Sequence, residues 1–168
     1  MLLEKNIEHL HDQIATVIAT GKQTAYRAIN STMVLTYWEI GRLIVEEEQQ
    51  GKERADYREF LIVSLAKRLK VEFGSGYSQA NLRNFRQFFL LFPIRYALRS
   101  ELTWTHYRLI MRVENAKARA FYESETVLSN WSTRALERQI HTFYYERIVS
   151  SRDKESVARA DGYVRENV

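Results

Sequence analysis

The sequence predicts an all-α, multi-helix protein, and three observations carry that expectation. Six Gly and one Pro in 168 residues are too few for the tight turns of an all-β sandwich. Long stretches of Leu, Arg, Glu, Ala and Gln are good helix formers. Apolar residues recur at spacings of three and four, the period of a helix face and not of a strand. The length suits one good core, or two small ones sharing a boundary.

The first helix is expected from Leu3, Ile7, Leu10, Ile14 and Val17, whose alternating spacings of four and three follow an a/d rhythm. The run is short for a free-standing coiled coil, so packing against the rest of the domain is expected ahead of self-association. Gly21 marks a break or bend. A second helix follows from about Gln23 to Gln50, with Val34, Tyr37, Gly41 and Ile44 on one face and the acidic run EEEQQGKE as its solvated exit. A third, from about Asp56 to Phe73, presents Leu61, Leu65 and Leu69 as its buried stripe.

The segment GSGYS then reverses the chain, since Gly74 and Gly76 can adopt left-handed conformations and Ser78 suits an N-cap. The following helix, Gln79 to Phe92, buries Leu82, Phe85, Phe89 and Phe92 and is stopped by Pro93. After an irregular link, Thr103 or Thr105 caps a short helix, Asn115 caps another through Leu128, and Ser132 caps a last one to about Arg147. In that last helix Leu136, Ile140 and Phe143 are expected to point inward and Arg134, Arg138, His141 and Tyr145 outward. Both sets of three helices are helix-turn-helix-like. Residues 1–50 thus form long N-terminal helices able to dimerise, and residues 51–148 form a core packed with them as one domain. Residues 149–168 read as a tail or linker.

Charge singles out one part of the chain. Leu61 to Arg112 holds nine basic residues against two acidic ones, whereas residues 1–60 hold seven against ten and residues 113–168 nine of each. A local basic face suits a phosphate backbone. Helix, glycine turn, then a helix bearing Gln, Asn and Arg is the layout that sets a recognition helix in the major groove. Gln79, Asn81, Arg83, Asn84 and Arg86 are therefore the first candidates for double-stranded DNA. Arg reads guanine and Gln or Asn adenine by paired hydrogen bonds, and Asn81 and Asn84 sit nearest the buried side. Ser78 and the amides beside it can hold a phosphate. Lys67, Arg68 and Lys70 are backbone candidates, and Arg134 and Arg138 form a second basic helix start. RNA is disfavoured because no exposed aromatic platform stands out.

Catalysis and cofactors find little support. The absence of Cys excludes disulfides, thiolate metal sites and a Cys nucleophile, and a reducing cytoplasm fits best. No apolar run is long enough for a bilayer. His9 and His11 do not converge on one helix face, and His106 and His141 lack partners nearby in sequence, so no metal site is expected. Neither Gly-Lys pair is followed by Ser or Thr, which excludes a P-loop. A metal-dependent nuclease of the acid-x-Lys kind needs a carboxylate two residues before a Lys. Leu3, Thr20, Gln50, Leu65, Arg68, Asn115 and Arg152 occupy those positions, so no cofactor and no enzymatic activity are expected of these residues.

Four blocks in order, LTYWEIGRLIVEEEQQG, LAKRLKVEFGSGYSQANLRNFRQFFLLFP, LTWTHYRLIMRVENAKARAFYESETVLSNWSTRALERQI and YYERIVSSRDKESV, resemble the N-terminal domain of the YhcG-like family over about Ile29 to Val157. The resemblance implies a mostly helical, helix-turn-helix-like bacterial domain thought to bind DNA and normally followed by a PD-(D/E)xK-type nuclease domain. The chain ends about where that nuclease domain would begin. It is therefore expected to be either the first part of a longer protein or a natural short form, and the compact tail ARADGYVRENV favours the short form. The expected function is a DNA-binding module that targets or regulates a nuclease in another domain or chain. The alternative is a protein-interaction or dimerisation module, joined through the first helix and meeting an acidic partner.

Overall fold

A computed structural model describes residues 2–50 and 55–151, with side chains for 4–50 and 56–151. Among the described residues the secondary structure is entirely helical. It comprises α1 (Leu2–Gln50), α2 (Ala55–Phe73), α3 (Gln79–Leu91), α4 (Trp104–Ile110), α5 (Ala116–Leu128), α6 (Thr133–His141) and α7 (Tyr144–Ser150). Residues 152–168, most of the expected tail, lie outside the described residues.

The break expected at Gly21 is absent, and α1 runs unbroken for 49 residues, about 74 Å at 1.5 Å per residue. Glycine in a helix interior costs only about 1 kcal/mol against Ala. The flanking residues carry the helix through. Ile7, Leu10, Ile14 and Val17 do not pack on the other described residues, and the Leu3 side chain lies outside them. Every residue from 4 to 29 is exposed, and Val17 keeps 72% of its surface.

The remainder of α1 is the spine of the body. Val34 and Trp38 enter a core shared with Phe88 of α3 and with Tyr107, Ile110, Tyr122, Leu136 and Tyr144 of α4 to α7. Further along, Ile44 joins Ile62 and Ala66 of α2 and Leu82 and Phe85 of α3 in a second core. Trp104 packs against both cores, with its ring 5.0 Å from Tyr37 and 5.3 Å from Phe85 and Phe88. A β-carbon on Gly41 would stand 2.0 Å from the Phe85 carbonyl oxygen, so α1 and α3 meet here backbone to backbone. The buried residues of α2 are Ile62 and Ala66, one position along from the expected leucines. Leu61, Leu65 and Leu69 are only half-buried, because they line an open groove toward α1.

The short-range signals are realised as caps. Ser78, Thr103, Asn115 and Ser132 each accept hydrogen bonds from backbone amides at the start of α3, α4, α5 and α6. At the reversal before α3, Gly74 alone has positive φ, at 92°. Pro93 follows the end of α3 as expected. The last expected helix is two, because Phe143 takes φ 54° and ψ 45° between α6 and α7. That left-handed residue turns its own ring out to 65% exposure and brings Tyr144 into the core in its place.

Candidate nucleic-acid interface

The basic candidates divide by what already holds them. Lys67, Arg68 and Lys70 stand exposed on α2, and among the described residues no carboxylate lies within 4 Å of them. Arg134 and Arg138 share that state on α6, one turn apart and directly after the Ser132 cap. Arg83 is exposed on α3 but pairs at 2.6 Å with Glu59 of α2, with Gln79 beside it at 3.5 Å. An exposed pair of this kind is worth ~0–1 kcal/mol, so Arg83 can exchange Glu59 for another anion at little cost.

Arg86, also expected to contact DNA, is held more firmly. Its Nε donates to both carboxylate oxygens of Glu48, at 2.9 and 2.8 Å, across 38 residues of sequence. The Glu48 side chain keeps only 6% of its surface. The acidic run closing α1 is thus not wholly a solvated exit. Its Glu48 is the buried counter-ion that ties α1 to α3, and withdrawing Arg86 toward a phosphate would strand that charge.

Asn81 is likewise committed. Its Nδ2 donates to the Gly76 carbonyl at 2.9 Å and its backbone N–H to Ser78 Oγ at 3.3 Å, so it fastens the turn instead of projecting to a base edge. Ser78 is half-buried, with its oxygen engaged in the cap and its hydroxyl hydrogen left to donate. Asn84 is half-buried, and Gln79 is exposed at the helix start. Gln79 and Arg83, one turn apart, are therefore the outward row of α3, with Lys67, Arg68 and Lys70 on the helix that precedes the turn.

Sequence reasoning missed several exposed aromatic rings. Phe73 at the end of α2 keeps 59% of its surface and meets Tyr77 edge-on at 5.9 Å, and Tyr96, between Arg95 and Arg99, keeps 95%. Glu48 and Glu59 were missed as partners because a salt bridge between distant helices leaves no spacing in the sequence.

One histidine, His106, builds structure. His106 is buried, and burial lowers its pKa below the usual imidazole range. Its Nδ1 lies 3.1 Å from the Thr103 N–H and its Nε2 3.1 Å from the Trp131 carbonyl. The neutral ring with hydrogen on Nε2 satisfies both, closing a reciprocal cap on α4. His106 also lines a cleft of about 530 Å³ between α1 and the α4 and α5 ends, with Arg27, Glu101 and Asn130 at its walls. Among the described residues no group of three His, Asp or Glu side chains could hold a metal ion, and no helix is long and apolar enough to cross a membrane.

Comparison with known proteins places this arrangement. The family described as the DUF1016 N-terminal domain matches residues 13–147, nearly the whole helical body. The chain belongs to the DUF1016 N-terminal domain family. It is 36% identical over 182 residues to an Escherichia coli (strain K12) protein named "Putative nuclease YhcG", covering 89% of this chain and 48% of that protein. The chain thus spans about half the length of that relative. No solved structure matches it significantly. The DUF1016 N-terminal domain match accounts for α1 from residue 13 through most of α7, so the basic candidates on α2, α3 and α6 all lie within it.

Proposed function

We propose that this DUF1016 N-terminal domain is a DNA-binding, helix-turn-helix-type module that targets or regulates a nuclease supplied by another domain or chain. The observation that carries the reading is the triplet Lys67, Arg68 and Lys70. It is exposed and uncompensated on the helix leading into the capped turn whose following helix presents Gln79 and Arg83. Phosphates neutralised by the triplet would fix register, and Arg83, released from Glu59, would reach base edges. Arg134 and Arg138 at the start of α6 supply a second basic contact. The nuclease half of the proposal rests on the name of the longer Escherichia coli relative.

Fluorescence anisotropy with a labelled duplex tests it. Arg83→Ala is expected to cost about 1–3 kcal/mol and to change base preference, while Lys67→Ala weakens all sequences alike. Glu59→Gln is expected to tighten binding, because it frees Arg83 and removes a negative charge from the same surface. Binding untouched by all three variants would refute the assignment of α2 and α3. A second reading, a protein-interaction module, is favoured by the exposed stripe of α1 and occupies a different surface.

A further inference from the structure

The uncovered face of α1 has a more specific order than its heptad start. Ile7, Ile18, Ile29 and Ile40 stand at intervals of eleven residues. Eleven residues make three helical turns at ~3.67 per turn, so the four isoleucines stay on one side of the helix. The first three keep 63%, 53% and 62% of their surface. Leu10 and Leu43 repeat the same offset, three residues after Ile7 and Ile40. The stripe lies roughly 150° around the helix from the side that carries Val34, Trp38, Gly41 and Val45 into the body, by the 3.6-residue turn. Ile40, the fourth isoleucine, is half-buried against the second core.

At its far end the stripe runs into an apolar groove of about 450 Å³ between α1 and α2. Ile40, Leu43, Leu61, Leu65 and Leu69 line it, together with Glu47. The groove exists because α2 packs on α3 and the turn before it and stands away from α1.

We infer that this face is a self-association surface, taken by α1 of a second copy lying antiparallel. In one register Ile7 opposes Ile40 of the second copy and Ile18 opposes its Ile29, and the two-fold axis repeats both pairs. All four isoleucines are then paired, and the Ile7 and Leu10 end of each helix seats in the other's groove. The 33 residues from Ile7 to Ile40 extend about 50 Å, and at the ~10 Å width of a helix this is on the order of 500 Å² of footprint per chain before the groove is counted. Two such faces make about 1,000 Å² in all, the lower threshold of a specific interface, to which the groove adds, and each chain offers the other an identical stripe of matching length. None of this depends on nucleic-acid binding.

The test is sedimentation velocity on the full chain over a concentration series, with far-UV circular dichroism as the folding control. The wild type is expected at twice the single-chain mass. Ile18→Asp and Ile29→Asp are expected at the single-chain mass with the helical spectrum retained, because both side chains are exposed in the single chain. A wild type that stays monomeric, or a dimer that survives both variants, overturns the proposal. The chain has no Cys, so orientation is read by oxidation. An equimolar mixture of Ile18→Cys and Ile29→Cys chains is expected to give the mixed disulfide, with neither variant cross-linking alone. Cross-linking of Ile18→Cys to itself would overturn the antiparallel register.

Discussion

Arg86→Ala separates a structural cation from a nucleic-acid contact. Glu48 keeps 6% of its side-chain surface and Arg86 30%, and the Arg86 Nε meets both carboxylate oxygens. Removing the guanidinium leaves a nearly dry carboxylate without a counter-ion, a change that costs ~3–5 kcal/mol when no water enters. Arg86 borders solvent, so its truncation admits water to one side of Glu48, and about 3 kcal/mol is the expected loss. For a chain of this size that lowers Tm by roughly 6–12 °C. Urea denaturation followed by circular dichroism measures it. Glu48→Gln introduced with Arg86→Ala should recover part of the loss, because the stranded charge is gone. Arg83→Ala, which breaks only an exposed pair, should shift stability by less than ~1 kcal/mol. An Arg86→Ala protein as stable as the wild type would refute the claim that this ion pair ties α1 to α3.

The two helical glycines of α1 should respond in opposite directions. Gly41→Ala drives a methyl into the Phe85 backbone and is expected to cost at least ~3 kcal/mol. Gly21→Ala, with nothing within 4 Å, should gain about 0.5–1 kcal/mol, both read as shifts in urea midpoint. His106 has a folded pKa below its ordinary 6.5, because burial disfavours the imidazolium. Its contribution is therefore fully present above ~6.5 and falls as pH drops toward the lowered folded value, when the unfolded chain takes up the proton first. Denaturation at pH 7.5 and 5.5 should show that loss in the wild type and a smaller one in His106→Asn. Asn115→Ala removes a cap that accepts from Lys117 N at 2.8 Å and Ala118 N at 3.1 Å, and should cost about 1 kcal/mol by the same assay.

What could be read in advance was what acts over a few residues. A cap needs only a hydroxyl or amide within three positions of the amide it accepts from, so the starts of α3 to α6 stood at Ser78, Thr103 or Thr105, Asn115 and Ser132, with Thr103 the one used. The all-helical class followed from the period of the apolar residues. The errors in the helical body, among them Phe89 and Phe92 half-buried where Phe88 takes the core, share a cause, dependence on the tertiary environment. Gly21 signals a break only if a break brings some gain, and an exposed helix offers none. Leu61, Leu65 and Leu69 have the spacing of a buried stripe, yet the helix they would meet stands away. Phe143 reads as a core ring, but the left-handed turn gives that place to Tyr144. At the candidate interface the residue types were legible and their engagements were not. Arg83 and Arg86 are three residues apart, and only contacts 24 and 38 residues distant distinguish an exchangeable cation from a buried one.

The measurement that bears most directly on the proposed function is the salt dependence of duplex binding, for the wild type and for the chain with Lys67, Arg68 and Lys70 all replaced by Ala. Each phosphate contact contributes about −0.9 to the slope of log K against log salt. The account predicts a steep negative slope for the wild type and one shallower by about two to three for the triple variant, with the fold unchanged by circular dichroism. Absence of binding at low salt, or an identical slope for both proteins, would contradict it.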